Sequence, residues 1–277
     1  DARVRDSEKP VAEASQTVPK EPALKIFTGA KLAPPPPGMV AVRGGRLNLG
    51  LGAEQVRKIV EICREDRARY RKVACDKLTD EMNGETAEIP SFYLDRTEVS
   101  QSVYDRCVRA KKCRSIRTRW ELKSQPATGL TRDNATAYCA WRGKRLPTHR
   151  EWLYAVRGPD SSTLFPWGDE GPLVGKTARA NSGRFVPGGG RADRRDRNKY
   201  AGPVEIFKNV ESPFGAINLA GNVREWTSTG GPRDAIVVGG GWQNAPYQLR
   251  SSRIDRVKAT KFGNDLGFRC ALSPSDG

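Results

Sequence analysis

Apolar residues in this chain fall into short runs of two different periods, and the first 38 positions take part in neither. Large apolar side chains are sparse there, and the stretch ends in four consecutive prolines at 34–37, a stiff polyproline run. Residues 1–38 therefore read as a tether, and residues 39–277 as the folded domain. From Met39 to Leu51 the chain alternates apolar and polar positions around Gly44 and Gly45, which predicts a β-hairpin. Between 53 and 78 the period changes: Val56, Ile59, Val60, Cys63, Tyr70, Ala74 and Leu78 recur close to helical spacing.

Strand character returns over 89–99, and Ser100 then stands at the N-cap of a helix running to about 110. A second helix is expected over 130–141, carrying Ala135, Ala137, Tyr138 and Trp141. Thr148 and Glu151 have the spacing of a capping box for a third, which reaches about 157. Beyond 158 the periodicity fades. Only 236–239 and 266–271 read as strands, a hairpin pair, and so long an irregular stretch needs something besides packing to order it.

Composition narrows the class. With 277 residues and 37% hydrophobic content the chain can build a sizeable core, and no run approaches the roughly 18 apolar residues of a membrane span. It starts at Asp1 without an initiator Met or a signal-like apolar stretch, as a mature or trimmed fragment would. Forty-eight Lys and Arg against 32 Asp and Glu give a net charge of +16. That balance favours polyanionic partners, for which nucleic acid, acidic polysaccharide and anionic lipid headgroups all qualify, although a solvated surface accounts for it equally well; an acidic glycan, a partner protein or an anionic cell-surface polymer is the expected partner. The charge is concentrated in two runs, 105–123 and 184–199. No nucleic-acid-reading motif accompanies it, so nucleic acid is not an expected partner.

The six cysteines, Cys63, Cys75, Cys107, Cys113, Cys139 and Cys270, show no CxxC spacing. With one histidine in the chain they do not suit a zinc site, and disulfides in an extracytoplasmic compartment are the better account. Cys107, in the last turn of its helix, and Cys113 suit a local bridge. Cys63 and Cys75 in one straight helix would stand ~18 Å apart, beyond the ~7 Å Cα limit for a disulfide. Either the chain folds back near 64–69 or the two are not partners; the helical hairpin is favoured because it leaves neither cysteine unpaired.

His149, the single histidine, follows a helix cap and reads as an exposed first-turn residue, which argues against a Ser/His/Asp triad and against His-rich metal sites. The glycine runs at 188–190 and 239–241 lack the Gly-Lys-Ser/Thr of a phosphate loop. Oxygen donors at 180–198 and 218–225 suit a hard cation such as calcium, although turn-forming Asn and Asp account for the same spacing.

Taken in order, MVAVRGG (39–45), SFYLDRTEVS (91–100), DNATAYCAWRGKRLPTHREW (133–152), FPWGDE (165–170), AGPV (201–204), SPFGAINLAGNVREW (212–226), VVGGGW (237–242) and LGFRC (266–270) resemble the formylglycine-generating enzyme, or sulfatase-modifying factor, family. The resemblance implies an α+β, loop-rich variant of the C-type lectin fold, with the helical segment at about 53–80 as an insertion. It implies a disulfide between Cys139 and Cys270. It implies two structural calcium sites. The first would use Asn181, the Ser182 carbonyl, Asp196 and the Asn198 carbonyl; the second Asn218, the Gly221 and Val223 carbonyls and Glu225, with Glu98 nearby.

Active members of the family oxidise a sulfatase cysteine with oxygen and copper held by two thiolates. The corresponding segment here, 239–253, has no sulfur, and Cys107 and Cys113 belong to a different loop, so copper is not expected. Related sulfoxide synthases need several histidines, which are also absent. What the resemblance leaves is a site lined by Trp242, Gln243, Asn244, Tyr247, Arg250 and Arg253, suited to a sugar, peptide or acidic group; Trp242 and Arg253 fit a purely structural role equally well. The expected function is a noncatalytic, extracytoplasmic binding module, with an enzyme using the same pocket for another oxidation or transfer as the alternative. Domains of this kind also resemble the sensory C-terminal parts of some bacterial serine/threonine kinases, but the chain carries no kinase motif.

Overall fold

The computed structural model describes residues 32–67, 75–82, 84–116, 122–174, 177–183 and 195–274. Most of the expected tether, the 68–74 part of the helical fold-back, and parts of both basic runs (117–121 and 184–194) lie outside the described residues.

Strands β1 (Met39–Val42) and β2 (Gly45–Asn48) form where the alternation places them, but they do not pair with each other. β2 runs antiparallel to β3 (Thr86–Ile89), from Gly45 opposite Ile89 to Asn48 opposite Thr86. β1 runs antiparallel to β4 (Phe92–Asp95), from Met39 opposite Asp95 to Val42 opposite Phe92. The expected hairpin is thus one arm of a bent ribbon, and Gly44 marks the bend rather than a turn. Its N–H donates to Ser91 Oγ at 2.9 Å, and a Cβ there would lie 2.4 Å from the Ile89 carbonyl oxygen. On the opposite arm Pro90 has no N–H to continue the ladder, so both strands break at the same level.

β4 is the middle strand of a three-stranded sheet, order β1-β4-β11, with β11 at Ala271–Leu272. Val42, Phe92, Leu94 and Ala271 pack in one core cluster with Trp152, Leu153 and Tyr154 of α4 (His149–Arg157). The Thr148–Glu151 capping box starts α4 as expected: Glu151 N donates to Thr148 Oγ1 and Thr148 N to Glu151 Oε2. All of α4 except Arg150 is buried. His149 is therefore not the exposed residue its place beside a cap suggests. It is 4% exposed, and its backbone N–H is held by Thr229 Oγ1 at 2.8 Å.

The second sheet has order β10-β7-β8-β9, with β7 at Arg224–Trp226, β8 at Ala235–Val238, β9 at Asp255–Val257 and β10 at Leu266–Gly267. The 236–239 and 266–271 segments are accordingly not hairpin partners, since β7 separates β8 from β10 and the chain then crosses to the first sheet as β11. This sheet shares a core with α2 (Gln101–Arg109) and α3 (Arg132–Trp141), where Tyr104 and Tyr138 stack at 5.5 Å and Phe268 meets Tyr138 edge-on at 5.4 Å. Ser100 is the N-cap of α2, but its side chain does not cap; the first N–H groups go instead to the Gln125 and Lys123 carbonyls.

Three disulfides form. Cys139–Cys270 pins α3 to the start of β11 across 131 positions, and Cys107–Cys113 closes the loop after α2. Cys63–Cys75 joins α1 (Ala53–Arg67) to a 3-10 helix at Cys75–Glu81, Cα to Cα 5.7 Å, so this segment does double back. Val56, Ile59, Cys63, Cys75 and Leu78 bury one face of that unit against Leu164, Phe165 and Leu249. Leu173–Val174 (β5) and Thr177–Ala178 (β6) form a separate two-stranded ribbon.

Candidate functional site

At the junction of the two sheets lies a buried polar network. Glu98 (1% exposed) accepts from Asn218 Nδ2 at 3.0 Å and from Asn222 Nδ2 at 2.8 Å. Burial, reinforced by the charge of Glu225 and opposed by Arg269 and the two amides, pushes the Glu98 carboxyl up to about 7. Glu225 takes a bidentate contact from Arg269 (2.7 to 3.0 Å) and a third bond from Trp152 Nε1 at 3.0 Å. Arg269, fully buried, also donates to the carbonyls of Asp95, Arg96 and Ile217, and so ties three segments together.

Asn222, with φ at 62°, extends this network to Asn181. Its N–H donates to the Asn181 carbonyl at 2.9 Å, and its Oδ1 receives Asn181 Nδ2 at 3.1 Å and Gly202 N at 2.8 Å. Gly221 makes the approach possible, because a Cβ there would meet the Asn181 carbonyl oxygen at 2.7 Å.

The first expected cation set is assembled around Asp196. Its two carboxylate oxygens accept from Ser182 N at 3.0 Å and Asn198 N at 2.9 Å. Among the described residues, Asn181 (1% exposed) keeps Oδ1 without a hydrogen-bond partner, and the buried Ser182 Oγ has none either. A buried amide oxygen without a partner, one residue before a backbone N–H that a carboxylate holds, is a donor arrangement that fits a hard cation. The second set is placed differently. Asn218, Gly221 and Val223 lie along one buried turn, but Glu225 faces Arg269, and a cation there would compete with a guanidinium for the carboxylate.

The 239–253 loop holds the six residues expected to line a ligand pocket. Trp242 is 8% exposed, meets Tyr200 edge-on at 5.4 Å and donates its backbone N–H to the Asn222 carbonyl, a structural position. Gln243 and Asn244 are half-buried; Asn244 Oδ1 accepts from Gly241 N at 2.9 Å and its carbonyl from Gly183 N. Arg253 pairs with Asp255 at 2.8 Å, which also makes it structural. Arg250 is 6% exposed and forms a forked ion pair with Glu81, whose other oxygen accepts from Ser252 Oγ at 2.5 Å. Burial alone would raise the Glu81 carboxyl, but Arg250 and Ser252 outweigh it and hold it below the usual range.

Asp66 Oδ2 accepts the Tyr247 backbone N–H at 3.1 Å. Two of the three carboxylates that hold this loop, Asp66 and Glu81, therefore come from the disulfide-closed 53–81 unit, and the third is Asp255. The two guanidinium groups read as ligand contacts are thus internally neutralised. Sequence reasoning also missed Asn222 and Arg269, although both lie inside quoted motifs; Asn222, directly after Gly221 in NLAGN, had a turn-forming signal.

No cysteine lies in this loop, and every described cysteine is in a disulfide. Among the described residues no three His, Cys, Asp or Glu side chains converge as a metal site, and no helix is long and apolar enough to cross a membrane.

This arrangement has known relatives. "Inactive C-alpha-formylglycine-generating enzyme 2" of Mus musculus is 35% identical over 169 residues, 57% of this chain and 51% of that protein. "Formylglycine-generating enzyme" of the same species is 32% identical over 170 residues, 53% of this chain and 44% of that protein. The chain thus spans about half the length of the curated relatives it matches. Among solved structures, that of PvdO from Pseudomonas aeruginosa superposes with a TM-score of 0.60 at 18% identity, over 85% of this chain and 94% of the other. The fold is the α+β, loop-rich, formylglycine-generating-enzyme variant of the C-type lectin fold. The model of the sulfatase-modifying factor enzyme 1-like domain matches residues 27–274, and the chain belongs to that family.

Proposed function

We propose that this chain is a noncatalytic, extracytoplasmic binding module built on the sulfatase-modifying factor fold. One observation carries the reading: the 239–253 loop has no sulfur, and the described cysteines are all committed to disulfides. A soft monovalent copper ion needs thiolate donors, and these residues supply none. The relatives' names include a formylglycine-generating enzyme and an inactive one, and the lack of thiolate donors supports the second.

Three disulfides, one spanning 131 positions, support an oxidising compartment outside the cytoplasm. Calcium at Asn181, Ser182, Asp196 and Asn198 would neutralise a buried carboxylate and satisfy the orphaned Asn181 oxygen.

With Arg250 and Arg253 turned inward, recognition of an acidic glycan, an anionic cell-surface polymer or an acidic partner protein falls to the surface. One basic patch is a shallow cavity of about 470 Å3 lined by Arg256, Lys258 and Lys261 beside Phe262, which is 65% exposed. An aromatic face between cations suits an acidic sugar.

The test has two arms. Polygalacturonate should bind by calorimetry, more weakly as salt rises, and binding should be lost in Lys258→Glu/Lys261→Glu. Incubation with a cysteinyl peptide, copper and oxygen should leave the cysteine unchanged by mass spectrometry. Aldehyde product would overturn the noncatalytic reading, and polyanion binding indifferent to the two lysines would overturn the assignment of the surface.

A further inference from the structure

Against a net charge of +16, one cleft has the opposite sign. It runs between α1 and the turn that leads into β5, encloses about 550 Å3, and is lined by five carboxylates and two cations. Its floor is apolar, from Ile62 and Leu173 with Pro172 and Pro246. Pro246 opens the 3-10 turn Pro246–Leu249, so the cleft adjoins the loop gripped by Asp66.

Part of its charge is compensated. Asp169 accepts from Gln55 Nε2 and Leu164 N and faces Lys58 at 3.6 Å, while Glu170 pairs with Arg179. Glu61 and Glu65 are different: they are exposed, and neither has an ion-pair or hydrogen-bond partner among the described residues. They stand one turn apart on α1, where like charges repel each other. Half-buried Ile62 lies beside them on the same wall. Two carboxylates left unpaired in a chain so rich in Lys and Arg form a local negative field over an apolar floor.

The geometry points to this cleft as a docking groove for a basic, extended segment of a partner polypeptide. Its cationic side chains would meet Glu61 and Glu65, and an apolar side chain between them would rest on Ile62 and Leu173. A lone metal ion is the poorer occupant, because no three acidic side chains converge among the described residues. The carboxylates are spread in a row, which matches charges spaced along a chain. The rest of the molecule repels such a segment, so binding here would be local and separable from the basic surface proposed above.

The probe is a fluorescein-labelled octapeptide with Arg at alternate positions and Leu and Ser between, titrated with the whole chain at low salt by fluorescence polarisation. The expected result is saturable binding, weakened at least tenfold in Glu61→Gln/Glu65→Gln. Both side chains are exposed, so an unchanged melting temperature would show that the variant is folded. A control peptide with Glu in place of Arg should be insensitive to this variant; any binding it shows should depend on Lys258 and Lys261 instead. Absence of Arg-peptide binding at millimolar protein would overturn the inference, as would binding unaffected by the double variant. Either result would leave the polyanion reading standing.

Discussion

Acid should destabilise this protein through its one histidine. The His149 ring is buried, and neither nitrogen has a hydrogen-bond partner among the described residues. Burial, reinforced by the charges of Arg157, Arg150 and Arg256, drives its pKa from 6.5 down to about 3. Above pH 6.5 the imidazole is neutral whether the chain is folded or not, and it contributes no pH dependence. As pH falls below 6.5 the unfolded chain binds a proton that the folded one refuses, so stability drops by about 1.4 kcal/mol per pH unit until the folded pKa is approached. By pH 4.5 the loss is about 2.7 kcal/mol. The perturbation is His149→Phe, which keeps a buried ring and removes the titration. Urea unfolding, with disulfides intact and tryptophan fluorescence as readout, would be run at pH 7.0, 5.5 and 4.5. Carboxylates contribute equally to both proteins, so wild type should lose about 2.7 kcal/mol more than the variant between the extremes. NMR gives an independent check, because a single imidazole signal belongs to the only histidine. A native resonance titrating near pH 6.5, or a gap between the two proteins that does not change with pH, would refute the reasoning.

Cys139→Ala/Cys270→Ala reopens a loop of 131 positions and should cost about 2–5 kcal/mol in denaturant unfolding; a loss below about 1 kcal/mol would show that the pin is redundant. Glu81→Gln strands the Arg250 guanidinium in a buried site and should cost about 3–5 kcal/mol, most of it recovered in Glu81→Gln/Arg250→Met. If the double variant is no more stable than the single one, the cost is not that of an unpaired charge. Arg269→Met leaves Glu225 and Glu98 facing each other without their common cation, and should lower stability by about 3–5 kcal/mol at neutral pH. That deficit should shrink as acid protonates Glu98, and a deficit constant from pH 7 to 5 would count against it.

What could be read from the sequence was local. The Thr148–Glu151 box and the apolar spacing of 130–141 each specify a helix from a few neighbouring residues, and those helices formed within two positions of the expected bounds. Strand existence was legible over 39–51, but pairing was not. A corner at Gly44 and a turn at Gly44 look alike in sequence, and only Pro90 and Ile89, more than forty positions away, distinguish them. His149 was misplaced for the same reason: a helix cap locates it on the axis of α4 but says nothing of Thr229, eighty positions away, which holds its backbone N–H. The guanidinium of Arg250 read as a free contact because Glu81, 169 positions away, belongs to a segment with no place in the family motifs.

The half of the chain beyond 158 has little regular structure, and buried arginines do much of the ordering that strands would otherwise do. Arg157 is the most exacting of them. At 1% exposure it donates from Nε to Ser251 Oγ at 2.9 Å, and from one terminal nitrogen to the carbonyls of Asn48, Leu49 and Gly50 at 2.6 to 3.2 Å. It thereby fastens the end of β2 and the entry to α1 onto α4, and Ser251 in turn reaches the Thr163 carbonyl. A planar fork can serve both groups at once, whereas an ammonium is a single point and cannot span them. Arg157→Lys keeps the charge and most of the volume but should lose either the Ser251 bond or the carbonyl cluster. At about 1.5–3 kcal/mol for a bond to a charged group, the expected loss is about 2–4 kcal/mol. Calorimetric melting of the disulfide-intact protein would measure it, and backbone amide exchange should quicken at 48–52. A melting temperature unchanged by the substitution would mean that charge and bulk at this position suffice, and that the fork is not what holds the irregular half in place.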